Sequence, residues 1–305
     1  MTTLTTNFAD TLEQTLENVK NQVRKQPADI NHRLFLFQLM AVMGQWSKSH
    51  TQLKVCGEMD PANLALMHVY NEALQCEAFR AEVFSGHVRP LVFGKPQPWI
   101  ASLLEALRLE DAGQHAAGQR LRESAFDDAK PTAGSITTRS GAQLEFTWIS
   151  DADQRLGPVL EAIVGGKYYW VAWENIRAIE LQDVTDLRDL VWQPVYFTWA
   201  NGGQSPGFIP TRYVGTEAAA DDDLRMSRKT IWKPTEGGAY AGLGQRMFAT
   251  DADDVALLDV AQISLRVEGQ TETESHAQLP GTNDTHTDTP AYAIKTASFN
   301  LAAKL

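Results

Sequence analysis

Two prolines in matching contexts, Gln26-Pro27-Ala28-Asp29 and Asp60-Pro61-Ala62-Asn63, lie 34 residues apart. That interval is the length of a stacked helix-turn-helix repeat. The landmarks of such a unit fall between them: Leu36 in a first helix, Gly44 at the turn, Trp46 just after it, then Leu53 and the small Cys56 in a second helix. Gly44 can take the left-handed conformation that ends one helix and turns the chain back. Leu36, Leu39 and Leu53 then lie on the faces that meet, and the second proline stops the second helix.

A looser copy runs from Pro98-Trp99 to Pro131, with Leu103, Leu104 and Leu107 before Gly113 and Ala117, Leu121 and Ala125 after it. Between the copies, a helix starting near Leu64 carries Leu66, Val69, Tyr70, Ala73 and Leu74, then Phe79, Val83 and Phe84, at helical spacing. Those residues are too many for one stripe, so this helix is expected to pack on both neighbours. The pattern predicts a tetratricopeptide-like helical superhelix over residues 1–130. Short helix pairs bury their apolar faces by stacking, which leaves a concave face suited to a peptide or helix.

Residues 131–142 contain a Gly/Ser/Thr stretch without periodicity and are expected to link two halves. From 143 to 268 the composition turns aromatic and β-branched. Leu144–Trp148, Tyr168–Trp173 (through Trp170), Val191–Trp199 (through Trp192) and Ile263–Val267 read as strands. Helices are expected only at Val159–Val164, after Pro158, and at Asp253–Val260, where Thr250 and Asp253 have the spacing of a capping box. The whole is therefore expected to be a two-part α+β chain whose second part is a mainly antiparallel sheet that could close into a small barrel. The polar, Thr-rich residues 269–305 read as a flexible tail.

The chemistry is bounded by what is missing. The 43% hydrophobic and 21% charged content is ordinary for a globular chain, and a net charge of -11 with no local Lys/Arg cluster disfavours nucleic acid. The first ten residues do not resemble a secretion signal, and the most apolar stretch, Leu190–Ala200, is too short and too interrupted to span a membrane. Cys56 and Cys76 read as reduced structural thiols of a cytoplasmic chain. His32, His50, His68, His87 and His115 form no i,i+3 or i,i+4 pair, so no metal or other cofactor is expected. Between 143 and 268 there is neither His nor Cys, which removes the usual nucleophile–base systems from that half.

Carboxylates remain. Asp151, Asp153 and Glu161 are close enough in sequence to suggest a hydrolase or metal-dependent enzyme, with Arg212 steadying a developing anion. Yet Asp151-Ala-Asp153-Gln-Arg155 lacks the glycine and distal Glu of a calcium loop, and a capped turn with an internal Asp–Arg pair accounts for it more simply. Gly242-Leu-Gly244-Gln-Arg246 lacks the residues of a phosphate or dinucleotide loop. Phe208-Ile-Pro-Thr-Arg212-Tyr213 joins an apolar run to an arginine expected to bridge buried carboxylates.

Taken in order, several stretches resemble the ImpE/TagJ family of type VI secretion accessory proteins across residues 10–268. They are Asn31-His-Arg33-Leu, Gln38-Leu39, Gly44-Gln-Trp46, Glu82-Val-Phe84, Trp148-Ile-Ser-Asp151-Ala-Asp153-Gln-Arg155-Leu-Gly157-Pro158-Val-Leu-Glu161, Leu187-Arg188-Asp189-Leu-Val-Trp192, Phe208 to Tyr213, and Gly244-Gln-Arg246. The resemblance implies a cytoplasmic, non-enzymatic adaptor. It would bind the N-terminal segment of the small contractile-sheath subunit and connect the sheath to the ClpV disassembly ATPase, with no nucleic acid or membrane partner. Trp46, Asp151, Asp153, Arg155, Glu161, Trp170, Arg188, Trp192, Arg212 and Tyr213 are its candidate partner-binding or structural residues.

Overall fold

The computed structural model describes residues 11–267; the expected tail, 269–305, lies outside them. The Thr11 side chain accepts the Gln14 backbone N–H, while the Gln14 side chain accepts the Thr11 N–H. This reciprocal cap starts α1 (Leu12–Lys25). Asp29 caps α2 (Ile30–Val42), and α3 (Trp46–Met59) ends just before Pro61. The 34-residue unit is thus a helical hairpin, α2–α3, turning at Gly44 with φ +65°. After the 21-residue α4 (Leu64–Phe84) and a short strand β1 (Leu91–Phe93), a second hairpin of α5 (Pro98–Asp111) and α6 (His115–Asp128) turns at Gly113 with φ +72°.

Thirteen further strands, fourteen with β1, complete the described residues: β2 (Gly134–Thr138), β3 (Gln143–Phe146), β4 (Ile149–Asp151), β5 (Val159–Val164), β6 (Lys167–Ala172), β7 (Ile176–Leu181), β8 (Trp192–Trp199), β9 (Gln204–Pro210), then a one-turn α7 (Asp222–Arg225), β10 (Thr230–Pro234), β11 (Tyr240–Gly244), β12 (Met247–Thr250), β13 (Val255–Ala256) and β14 (Val260–Leu265). Nine of them form one sheet in the order β1-β6-β5-β9-β8-β7-β14-β2-β3. Every pair in it is antiparallel except β1–β6. The fold is mixed α+β, and the sheet is open. A barrel requires the edge strands to hydrogen-bond each other, whereas β1 and β3 stand at opposite ends of nine strands.

Alternation along each strand sends side chains to both faces. Tyr168, Trp170, Ile163 and Trp192 meet the helices in one core, which includes Leu36, Leu39, Leu53 and Leu103. Leu160, Val171, Phe197 and Ile263 form a second core on the far face with Ile149 of β4 and Phe248 of β12, whose strands make a small three-stranded sheet with β13. The layers are helices, large sheet, small sheet.

Three expectations need correcting. Val159–Val164 is a strand, not a helix: it pairs with β6 along its whole length through a two-residue turn at Gly165-Gly166, both with positive φ, which is the geometry a tight hairpin needs. Asp253–Val260 is β13, a single helical turn at Leu257–Asp259 and the start of β14. Thr250 Oγ1 does accept the Asp253 N–H at 3.0 Å, but it caps a turn that no α-helix follows. The stretch 131–142 is more than a connector, because residues 134–138 pair with both β14 and β3.

The α2–α3 turn depends on Gly44. A Cβ there would stand 2.5 Å from Glu217 Cβ, on a backbone that costs an L-residue about 1–2 kcal/mol even in open space. Gly44→Ala is expected to lower unfolding free energy by at least that amount in urea titration, while Gly113→Ala, with nothing within 4 Å, shows the backbone effect alone.

Candidate functional site

The stripe of α4 that faces the sheet runs Tyr70, Ala73, Leu74, Glu77, Arg80, Val83, all buried. An acid and a base one turn apart on an apolar stripe have no water to solvate them, so they must find partners across the layer. Arg80 donates from Nε to Glu161 Oε1 at 2.6 Å and from Nη2 to Glu161 Oε2 at 2.9 Å, a bidentate pair, and from Nη2 to the Arg212 carbonyl at 2.8 Å. Glu161, on β5, also accepts from the Tyr168 hydroxyl and from Arg246. Arg246 binds Asp151 and donates from Nε to the Pro210 carbonyl at 2.8 Å. Glu77 accepts from Arg80 and from the Trp192 indole N–H at 2.9 Å.

The turn after β4 extends this network. Asp151 accepts the Asp153 N–H, and Asp153 holds Arg155 in a bidentate pair, 2.6 Å at the closest approach, while accepting the Gly242 N–H at 3.0 Å. The carboxylates considered for acid–base chemistry are all at most 3% exposed and each contacts an arginine. Among the described residues no group of three or more His, Cys, Asp or Glu is arranged to hold a metal ion.

Of the other residues singled out in the sequence, Trp46, Trp192, Arg188 and Arg212 join the two halves, while Trp170 and Tyr213 make their hydrogen bonds within the second. Trp46 meets Trp192 at 6.1 Å between ring centroids, and Tyr70 meets Trp192 and Phe208 at 5.9 and 5.3 Å. Arg188 lies over the Tyr70 ring and pairs with Asp186 at 2.5 Å; Asp186 also accepts from Gln38 of α2. The Trp170 indole donates to the Tyr168 hydroxyl at 2.9 Å. Tyr213 is clamped to Met247, accepting its N–H and donating to its carbonyl. Arg212 bridges carbonyls, not carboxylates: Nη1 donates to Val42 O at 2.7 Å and to Arg225 O at 2.6 Å. It therefore closes the C-terminus of α2, where orphan carbonyls and the helix dipole favour a cation.

Ten of the thirteen residues of α2 are buried: α1 and α3 pack against it, and the turn Leu187–Leu190 and Arg212 meet it from the second half.

The sequence reading missed Glu77, Arg80 and Tyr168. The signal for the first two was present: charges at positions 77 and 80 continue an apolar stripe at 70, 73, 74 and 83.

Burial is the largest single influence on Glu161, Asp151, Glu77 and Arg212. For Glu161 the pull of Arg80 and Arg246 exceeds it, and the carboxyl is held down at about 2. For Asp151 burial outweighs Arg246 and pushes the carboxyl up to about 7; Glu77 is raised for the same reason. Burial lowers Arg212 to about 10 against the attraction of Glu77 and Glu217. Because Glu161 is depressed in the fold, its stabilisation is complete above its ordinary value of 4.5 and is lost as pH falls towards 2. Asp151 acts in the opposite sense, its burial weighing against the fold increasingly as pH rises from about 4 to 7.

Removing one partner of a buried pair leaves an uncompensated charge, at about 3–5 kcal/mol. Glu161→Gln is expected to lower unfolding free energy by that order at pH 7. It should also flatten the loss of stability expected of the native chain between pH 4.5 and 2, as followed by denaturant titration at several pH values. An unchanged acid limb in the variant would refute the assignment.

A family model described as ImpE protein matches residues 143–264, the half that supplies Asp151, Asp153, Arg155, Glu161 and Arg246. A protein of Pseudomonas aeruginosa named "Type VI secretion system accessory component TagJ" is 45% identical over 255 residues, which are 84% of this chain and 88% of the relative. A crystal structure of a Vibrio parahaemolyticus protein superposes with a TM-score of 0.75 at 21% identity, covering 84% of this chain and 94% of that one, which shows the fold. With the relative covering most of both chains, the chain belongs to the ImpE/TagJ family.

Proposed function

We propose that this protein is a non-enzymatic adaptor of the type VI secretion system, acting in the cytoplasm. It binds the N-terminal segment of the small contractile-sheath subunit and links the sheath to the ClpV disassembly ATPase. The observation that carries this reading is the 45% identity, across most of both chains, to a relative named as an accessory component of that system. The site supports it. Carboxylates sealed between arginines hold a platform together and are not offered to a substrate, which favours an adaptor over a carboxylate-based hydrolase. Among the described residues no helix is long and apolar enough to cross a membrane.

Calorimetric titration of a peptide covering the N-terminus of the sheath subunit is expected to give a dissociation constant below about 100 μM, a free energy near -5.5 kcal/mol, with no heat from a scrambled peptide. In a pull-down, ClpV is expected to be retained more strongly when the sheath subunit is present. Absence of peptide binding by the native protein would remove the adaptor reading.

A further inference from the structure

The carboxylate–arginine network is buried, so a partner segment would be held at exposed apolar surface. Phe79 of α4 and Leu91 of β1 are 38% and 47% exposed, and with Cys76, Tyr168 and the Gly166-Lys167 turn they line an open groove of about 230 Å³. The groove is built rather than incidental. Cys76 Sγ donates to the Gly166 carbonyl at 3.5 Å, and the Phe79 and Tyr168 rings meet edge-on at 6.2 Å. Gly166, at φ +71°, holds a backbone conformation that L side chains rarely adopt, and the Glu72 carboxylate of α4 lies close against it.

Size selects the kind of occupant. Small-molecule sites run to roughly 300–1,000 Å³ and enclose most of their ligand; an open groove of 230 Å³ accommodates one or two large side chains. Strand addition is disfavoured, because the free edge here, β1, is three residues long and lies between Pro90 and Gly94, against about five or six for an ordinary strand. Charge selects further. Glu72 lies one turn from Cys76 on the same face of α4, at the rim, where it pairs with exposed His68 at 3.4 Å. In a chain of net charge -11 this carboxylate favours a cation on the incoming segment.

We propose that this groove grips an amphipathic segment of a protein partner, seating one large apolar side chain between Phe79, Leu91 and Tyr168 and bringing a basic side chain to Glu72. This rests on the adaptor reading and adds the place and chemistry of the grip.

The test uses the full chain and the same sheath-subunit peptide in calorimetry. Phe79→Glu and Leu91→Glu are each expected to weaken binding at least tenfold, and Glu72→Gln about threefold. Trp232→Ala, which removes an exposed aromatic from β10 (40% exposed), should bind as the native protein does. Thermal melts by circular dichroism confirm that the variants, all altered at exposed or rim positions, remain folded. If the native protein binds and Phe79→Glu and Leu91→Glu bind equally well, the groove is overturned while the adaptor reading stands. If Trp232→Ala alone weakens binding, the grip lies on the β10–β11 ribbon and the groove is again overturned. If the native protein does not bind the peptide, the adaptor reading falls and this assignment with it.

Discussion

One carboxylate sets the geometry of this protein. Glu161, fully buried on β5, is shared between Arg80 of α4, Arg246 beside β12 and the Tyr168 hydroxyl of β6. Taking each such ion out of water costs several kcal/mol, which is recovered only where geometry is close and the remaining hydrogen-bonding capacity is met. The apolar cores on either side supply more of the total stability, but apolar burial is non-directional and would tolerate a helix slid or rotated by part of a turn. A bidentate arginine does not. With Arg80 fixed, Glu77 arrives at the Trp192 indole, and Phe79 is turned outward to form one wall of the groove.

What the sequence disclosed follows from the range of each interaction. Helix ends are set within a few residues, by Asp29, Gly44, Pro61 and Gly113, so the hairpins α2–α3 and α5–α6 were legible. Strands rich in aromatic and β-branched residues, such as β6 and β8, were legible for the same reason. Val159–Val164 was not, because five of its six residues are buried between two layers and show no alternation; the deciding signal was the Gly165-Gly166 pair that follows. β1 could not be seen locally at all. Three residues between prolines become a strand only because residues 169–171 accept them in parallel, more than seventy positions away.

The charged network was harder for a related reason. Glu77 and Arg80 have the spacing of an ordinary surface ion pair, and what makes them otherwise is the sheet against which α4 lies. Asp153 and Arg155, by contrast, are two residues apart and form their pair within one turn, which local reasoning could anticipate. Arg212 was read as a partner for carboxylates because that is the usual requirement of a buried guanidinium. Besides the nearby Arg225 carbonyl, its partners are the Ala41 and Val42 carbonyls at the end of a helix some 170 positions earlier.

The locks between the halves are spread over the whole contact. Asp222 accepts the N–H of Leu12 at the start of α1, Arg212 closes α2, Trp46 of α3 packs on Trp192, and Arg80 ties α4 to β5. Halves joined by a small polar interface are expected to move relative to each other. Here each of the first four helices has its own attachment to the sheet side, and most of the polar groups involved are buried and fixed in direction. A segment held in the groove between α4 and β6 would therefore be held with respect to the entire chain, so a load applied at one surface reaches the other without an intervening hinge. Such rigidity suits the adaptor role proposed above.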